Sequence, residues 1–71
     1  MKRDDLIRRI RRAARDADKD WCLLREGGDH EIWECGRMKI QIPRHREISE
    51  GTAIDILRDL ETELGEDWWR R

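Results

Sequence analysis

Two glycine-containing turn signals divide the middle of the chain into three short runs that fit β-strands. Gly27-Gly28 separates residues 21–26 from residues 31–35, and glycine adopts the positive φ of tight turns without steric cost, so these runs are predicted to pair as a hairpin. Gly36-Arg37 predicts a second turn, and Pro43 ends the third strand because proline lacks the amide that a ladder requires. The chain is therefore predicted to contain a three-stranded antiparallel sheet.

The lengths of the two turns predict how the strands pair. A four-residue loop over residues 27–30 places Cys22 opposite Cys35 and Leu24 opposite Trp33, and a two-residue turn places Cys35 opposite Met38. Because side chains alternate along a strand, one face is predicted to pack on the helices: Cys22, Leu24, Trp33, Cys35, Met38, Ile40 and Ile42. The other face is predicted to carry Arg25, Arg37, Lys39, Gln41, Trp21, Leu23 and Ile32. That face is apolar enough to bind a partner, unless Trp21 folds under the first helix.

A helix is predicted on each side of the sheet in the sequence. The first has an apolar stripe at helical spacing, formed by Leu6, Ile7, Ile10, Ala13, Ala14 and Ala17. The second is predicted to begin near Thr52, in the capping box Thr52-Ala53-Ile54-Asp55, and to end before Gly65. Its buried stripe is predicted to contain Ala53, Ile56, Leu57, Leu60 and Leu64. The predicted fold class is α+β, in the order α-β-β-β-α.

The length of 71 residues fits one domain, which we assign to residues 1–65. Residues 66–71 form a charged tail, in which Trp68 and Trp69 either pack back on the domain or contact a partner. No apolar run approaches the roughly 18 residues of a membrane span, and residues 1–5 do not resemble a signal peptide. We therefore expect a cytoplasmic protein that has no membrane partner.

Charge is unevenly distributed along the chain, although the formal net charge is only -1. Residues 1–46 hold 13 Lys and Arg against 9 Asp and Glu, whereas residues 47–71 hold 3 against 8. In the first helix, five arginines lie mostly away from the apolar stripe: Arg8, Arg9, Arg11, Arg12 and Arg15. This distribution indicates either a site for a polyanion or an ordinary solvated surface.

His30 is the candidate for chemistry, because it follows the double glycine at the tip of the predicted hairpin. A histidine in that position is exposed, is held by strands on both sides, and belongs to the residue type that usually exchanges protons near neutral pH. A solvated loop histidine is the alternative. The set Cys22, His30, Cys35 and His45 lacks the close paired spacing of a structural zinc site, so we expect no metal. Opposed cysteines would permit a disulfide in an oxidising compartment, but in the cytosol we expect two reduced, buried thiols.

The motifs of the chain resemble those of the HicA toxins of prokaryotic toxin-antitoxin systems. The resemblance covers about residues 2–64, at these positions: Leu6-Ile7-Arg8, Trp21, Arg25, Gly27, Gly28-Asp29-His30, Trp33, Ile40, Ile42-Pro43-Arg44-His45, Gly51-Thr52 and Ile56-Leu57. The most specific elements are Gly-X-His and Pro-X-His, with Gly-Thr shortly after. The chain departs from the family at Asp29, where serine is usual, and in its acidic second half, since the family toxins are typically basic.

The resemblance implies a fold similar to the double-stranded-RNA-binding domain, and a metal-independent, cofactor-free endoribonuclease that cleaves messenger RNA. It also implies inhibition by a HicB-type antitoxin. The catalytic general acid or base would be His30, and His45 would be either a second proton-transfer group or a structural loop histidine.

The remaining site residues are candidates by charge and expected position. Arg25, Lys39 and Arg44 would bind the phosphate, and Gly27 and Gly28 would form the structural loop. The alternative function is a non-catalytic RNA-binding or protein-interaction module of the same fold, which contacts RNA shape through its basic helix and loops.

Overall fold

One helix, a three-stranded sheet and two short helices follow one another in a computed structural model that describes residues 1–70. Their bounds are α1 (Arg3–Asp16), β1 (Trp21–Gly27), β2 (His30–Cys35), β3 (Met38–Pro43), α2 (Glu50–Asp59) and α3 (Glu61–Leu64), followed by a 3-10 turn over Trp68–Arg70. The strands are antiparallel in the order β1-β2-β3. The predicted α+β class and the α-β-β-β-α order are confirmed. Within the described residues, none of the helices has the length and apolar character needed to cross a lipid bilayer.

The apolar stripe of α1 forms one wall of the core. Leu6, Ile7, Ile10 and Ala14 are buried, and Ala13 packs against them. Ala17, the last residue of the predicted stripe, is exposed at the C-cap of the helix. Asp4 and Asp5 occupy the first turn, where carboxylates interact favourably with the helix dipole.

Helix α2 begins earlier than the sequence pattern indicated. Ser49 is its N-cap, and the Ser49 hydroxyl accepts a 3.3 Å hydrogen bond from the amide of Thr52. The predicted capping box starting at Thr52 is therefore wrong by one helical turn, because a serine three residues upstream already satisfies that amide. The predicted stripe is confirmed, and all of its residues are buried: Ala53, Ile56, Leu57, Leu60 and Leu64.

The chain after α3 folds back on the domain. Gly65 ends α3 with a φ of 99°, a value that favours glycine, as predicted for this position. Trp68 then belongs to the core, and its indole N–H donates a 2.9 Å hydrogen bond to the carbonyl of Leu57. Of the two alternatives for Trp68, packing on the domain is the one observed. Arg71, the last residue of the predicted tail, lies outside the described residues.

Strands β2 and β3 pair as the sequence predicted. Cys35 lies opposite Met38 and Trp33 opposite Ile40, across a two-residue turn at Gly36-Arg37. Gly36 has a φ of 58°, which favours glycine, and a Cβ at this position would displace the carboxylate of Glu63. Glu63 in turn accepts a 3.1 Å hydrogen bond from the amide of Arg37, which joins this turn to α3.

The pairing of β1 with β2 differs from the prediction beyond a β-bulge. Next to the turn the register is as expected, with Glu26 opposite Glu31 and Arg25 opposite Ile32. The ladder also includes Gly27 and His30, so the loop has two residues rather than four. The register then shifts by one residue between Leu23 and Arg25. A one-residue shift reverses the faces of all the residues that precede it in the strand.

Because of this bulge, the β1 side chains that pack toward the core differ from those predicted. Cys22 lies opposite Glu34 rather than Cys35 and is exposed, and Leu24 is 45% exposed. In their place Trp21 turns toward the core, where its ring stacks on that of Trp33 with a centroid distance of 4.6 Å. The predicted core positions of Cys22 and Leu24 are therefore wrong, and of the two alternatives for Trp21, the one in which it packs with the core side chains is observed.

The two thiols are expected to differ in reactivity. Iodoacetamide should modify Cys22 at least about tenfold faster than Cys35 in the native protein, because Cys22 is exposed and Cys35 is buried. Burial, and then the nearby carboxylate of Glu63, raise the pKa of the Cys35 thiol, which Lys19 partly offsets, so less thiolate is present at neutral pH. Mass spectrometry of the two peptides over time measures both rates. Equal rates in the native state, as expected only in denaturant, would contradict the bulged register.

Candidate functional site

His30 lies at the point where the first hairpin turns. It is the first residue of β2, and its backbone pairs with Gly27 on one side and with Pro43 on the other. The turn between Gly27 and His30 contains Gly28, with a φ of 52°, and Asp29. Pairing on both sides fixes the backbone of His30, while its side chain is exposed and has no hydrogen bond or ion pair to any of residues 1–70.

The face of the sheet that carries His30 is the one turned away from the helices. Alternation along the strands places Arg25, His30, Ile32 and Gln41 on this outer face, since Glu31 and Ile42 point into the core. Arg25 pairs with Ile32, two residues along β2 from His30. It is exposed, and its guanidinium has no partner within the described chain. Arg25 and His30 are therefore diagonal neighbours on one open surface.

Arg44 is tied to the same turn by its backbone. Its amide donates a 2.9 Å hydrogen bond to the carbonyl of Asp29, the residue before His30. The side chain of Arg44 is exposed and makes no ion pair with residues 1–70. His45 follows in the loop and is also exposed. The turn and the start of this loop therefore place His30, Arg44 and His45 at one end of the sheet.

Lys39 is the sequence-predicted site residue that lies farthest from this end. It pairs with Glu34 on the outer face, four residues before the Pro43 that pairs with His30. At about 3.3 Å per residue, that separation is about 13 Å along β3. The oppositely charged Glu34 faces Lys39 directly across the strands, so the charge of Lys39 is partly balanced locally.

Behind His30, on the core side of the sheet, a buried carboxylate joins three elements. Glu31 is 8% exposed and accepts hydrogen bonds from the guanidinium of Arg3 and, at 3.1 Å, from the indole N–H of Trp33. Arg3 also donates a 2.9 Å hydrogen bond to the carbonyl of Pro43. Arg3 and Glu31 thus fix the start of α1 against the strand positions that hold His30 and Arg44.

The loop after β3 is also held by the N-terminal residues. The amide of Arg3 donates to the carbonyl of Arg46 at 2.8 Å, Lys2 forms a β-bridge with Glu47, and the amide of Ile48 donates to the carbonyl of Met1 at 2.8 Å. The loop therefore lies between the His30 turn and the start of α1. Sequence reasoning missed these contacts, because they join residues more than 40 positions apart with no local pattern.

The cysteines and histidines considered for a zinc site are not gathered in the structure. Cys22 and Cys35 point to opposite faces of the sheet, which separates the set that also contains His30 and His45. Over residues 1–70, there is no group of three or more His, Cys, Asp or Glu side chains with the arrangement that a metal ion requires.

Comparisons of the chain with protein-family models, with curated proteins and with solved structures found no match.

The Arg3 and Glu31 contact is expected to contribute strongly to stability. Arg3→Ala removes the main partner of a carboxylate whose side chain is only 10% exposed, so we expect the free energy of unfolding to fall by about 2–3 kcal/mol. Urea denaturation followed by tryptophan fluorescence measures this loss.

Arg8→Ala is the matched control, since Arg8 also lies on α1 and its guanidinium is 3.0 Å from the carboxylate of Asp5. That pair is exposed, and its loss should cost less than about 0.5 kcal/mol. If both variants lost the same stability, Glu31 would not need Arg3 in the folded state.

Proposed function

We propose that this chain is a HicA-like toxin, a metal-independent endoribonuclease that cleaves messenger RNA with His30 as general acid or base and is inhibited by a HicB-type antitoxin. One observation carries the proposal. An exposed imidazole occupies a fixed backbone position between two strands, and Arg25 and Arg44, whose backbones lie close to it, have guanidinium groups without a protein partner within residues 1–70. Free cations beside a positioned proton-transfer group suit chemistry at a phosphodiester.

The reaction needs two proton transfers and stabilisation of charge. The ribose 2′-hydroxyl loses its proton and attacks the adjacent phosphorus, and the bond from phosphorus to the 5′ oxygen breaks as that oxygen gains a proton. The products are a 2′,3′-cyclic phosphate and a 5′-hydroxyl. His30 would move the first or the second proton, a role that commonly contributes about 10² to 10⁴ in rate.

Arg25 and Arg44 would stabilise the negative charge that develops on the phosphate oxygens, since guanidinium groups bind phosphate with two parallel hydrogen bonds. His45, one residue after Arg44, is the candidate for the other proton transfer. Lys39 would contact a more distant part of the RNA, because its position on the sheet separates it from the reacting phosphate. Messenger RNA and an antitoxin of this kind imply that the protein acts in the cytoplasm.

A second candidate function is supported by a different surface. Arg8, Arg11, Arg12 and Arg15 recur at i, i+3, i+4 and i+7 on α1, are exposed, and lie opposite the buried stripe. Such a face suits contact with the phosphates of a folded RNA without any cleavage. The chain would then be a non-catalytic RNA-binding or protein-interaction module of the same fold.

Substitution of His30 separates the two functions. His30→Ala is expected to reduce the rate of RNA cleavage by the purified protein by about 10²- to 10⁴-fold, because the variant lacks the proton-transfer group. Cleavage of a fluorescently labelled single-stranded RNA under single-turnover conditions measures the rate.

The same substitution should leave the free energy of unfolding within about 0.5 kcal/mol of the wild type, because the imidazole is exposed and makes no hydrogen bond or ion pair within the described residues. His45→Ala removes the other exposed histidine and is a control for stability only, because His45 is itself the candidate for the other proton transfer. A wild-type protein that cleaves no RNA, or an alanine variant of His30 that cleaves it at the wild-type rate, would rule out the nuclease and leave the binding module.

A further inference from the structure

A groove opens beside the His30 turn, between the start of α1 and the loop after β3. Its volume is about 570 Å³, and it is lined by Lys2, Arg3, Asp4, Arg44, Arg46 and Glu47. Arg44 belongs both to this groove and to the candidate site, because its amide is bonded to Asp29 next to His30. Arg44 is therefore the residue that connects the groove to the His30 turn.

The charges that line the groove do not balance. Of its four cations, Arg3 is committed to Glu31, and of its two carboxylates, Glu47 lies 3.6 Å from the N-terminal amine of Met1. Three cations and the carboxylate of Asp4 remain, which is a local net charge of about +2.

The side chains of Lys2, Arg44 and Arg46 have no ion pair or hydrogen bond to residues 1–70. This concentration of free cations occurs in a chain whose formal net charge is -1. It is therefore a local property of the groove and does not follow from a generally basic surface.

Both walls of the groove are fixed by backbone hydrogen bonds. The amide of Arg3 donates to the carbonyl of Arg46 at 2.8 Å, and Lys2 and Glu47 form a β-bridge. The cations are thus attached to backbone that is already positioned, so a ligand has less backbone to order when it binds.

We infer that Lys2 and Arg46, together with Arg44, form a second phosphate-binding site that holds an RNA backbone phosphate next to the one cleaved at His30. The inference rests on the proposed function, which supplies both the RNA ligand and the cleaved phosphate. Arg46 is two residues beyond Arg44, which spans at most about 7 Å of extended chain. That reach is comparable with one nucleotide step of a single strand. The carboxylate of Asp4 in the same groove weakens the binding of an isolated anion. An RNA strand that is also held at the phosphate near His30 is therefore the ligand that fits the groove.

The salt dependence of RNA binding tests this site. In a His30→Ala background, which prevents cleavage, the further change Lys2→Gln with Arg46→Gln removes two cations. The slope of log K against log salt should fall by about 1.4, since each contact to single-stranded nucleic acid contributes about 0.7. The Kd at 0.1 M salt should then rise by roughly 25-fold. Fluorescence anisotropy with a labelled RNA octanucleotide measures both quantities.

Arg37→Gln with Arg58→Gln in the same background is the matched control. It makes the same change in net charge at two exposed side chains that do not line the groove and have no side-chain partner among residues 1–70. The control should keep the slope of the His30→Ala protein. An unchanged slope in the groove variant, an equal loss in the control, or the absence of RNA binding would each overturn the inference.

Substrate length gives a second readout, with His30 restored. The groove variant should have a lower kcat/KM on the octanucleotide and an unchanged kcat/KM on a dinucleotide, which contains only the cleaved phosphate. Equal losses on both substrates would place Lys2 and Arg46 at the reacting phosphate and overturn the inference. A wild type that binds RNA through the groove but cleaves neither substrate would sink the nuclease assignment alone.

Discussion

The contact between Arg3 and Glu31 is the constraint on which the candidate site depends. A carboxylate buried on the core face of a sheet is costly unless it is paired and hydrogen-bonded, and Glu31 receives both Arg3 and the Trp33 indole. Because Arg3 also donates to the carbonyl of Pro43, one side chain joins α1 to β2 and to the end of β3. These positions are next to His30 and Arg44, so the order at this end of the sheet follows from a contact on the opposite face.

The sequence was sufficient to predict the order of the helices and strands and half of the sheet register, but not the break that divides the predicted second helix into α2 and α3. Gly36-Arg37 leaves only one pairing for β2 and β3, and the positive φ of Gly36 favours glycine there. In the first hairpin, the pairing of residues next to the turn was also predicted correctly, although the loop has two residues rather than four. The predicted pairing is wrong toward the start of β1, where Trp21, Cys22, Leu23 and Leu24 are all apolar. Without alternation, such a run does not specify which face is buried, and a one-residue bulge is then decided by packing. The stacking of Trp21 on Trp33 favours the bulged register, and no local pattern encodes that contact.

The candidate site shows the same division between local and long-range signals. The position of His30 follows from the turn beside it, and that of Arg44 from the proline that ends β3. Glu31 had a usable signal as well, since it alternates with Trp33 and Cys35 on the predicted core face, where a carboxylate implies a buried partner. For Lys2 and Arg46, the sequence contained no usable signal. Each belongs to a polar stretch that suggests a solvated surface, and only the bridge between the N-terminal residues and the loop brings them together.

The acidic second half of the chain is compatible with the proposed polyanionic ligand, because the carboxylates of Glu61 and Glu63 are used within the fold and do not line the groove. Glu47, which does line the groove, lies 3.6 Å from the N-terminal amine. Glu63 accepts a hydrogen bond from Arg37 and pairs with Lys19 at 3.7 Å, and Glu61 accepts hydrogen bonds from Asp67 and Trp69. The Glu63 contacts gather at the Gly36 turn, at the opposite end of β2 from His30. Five residue steps at about 3.3 Å separate the two ends by about 17 Å, which exceeds the Debye length of about 8 Å at physiological salt. At that distance the carboxylate of Glu63 does little to change the electrostatic potential near His30. The potential there is therefore set by the local charge of the groove and not by the net charge of the chain, which is what the proposed binding of RNA requires.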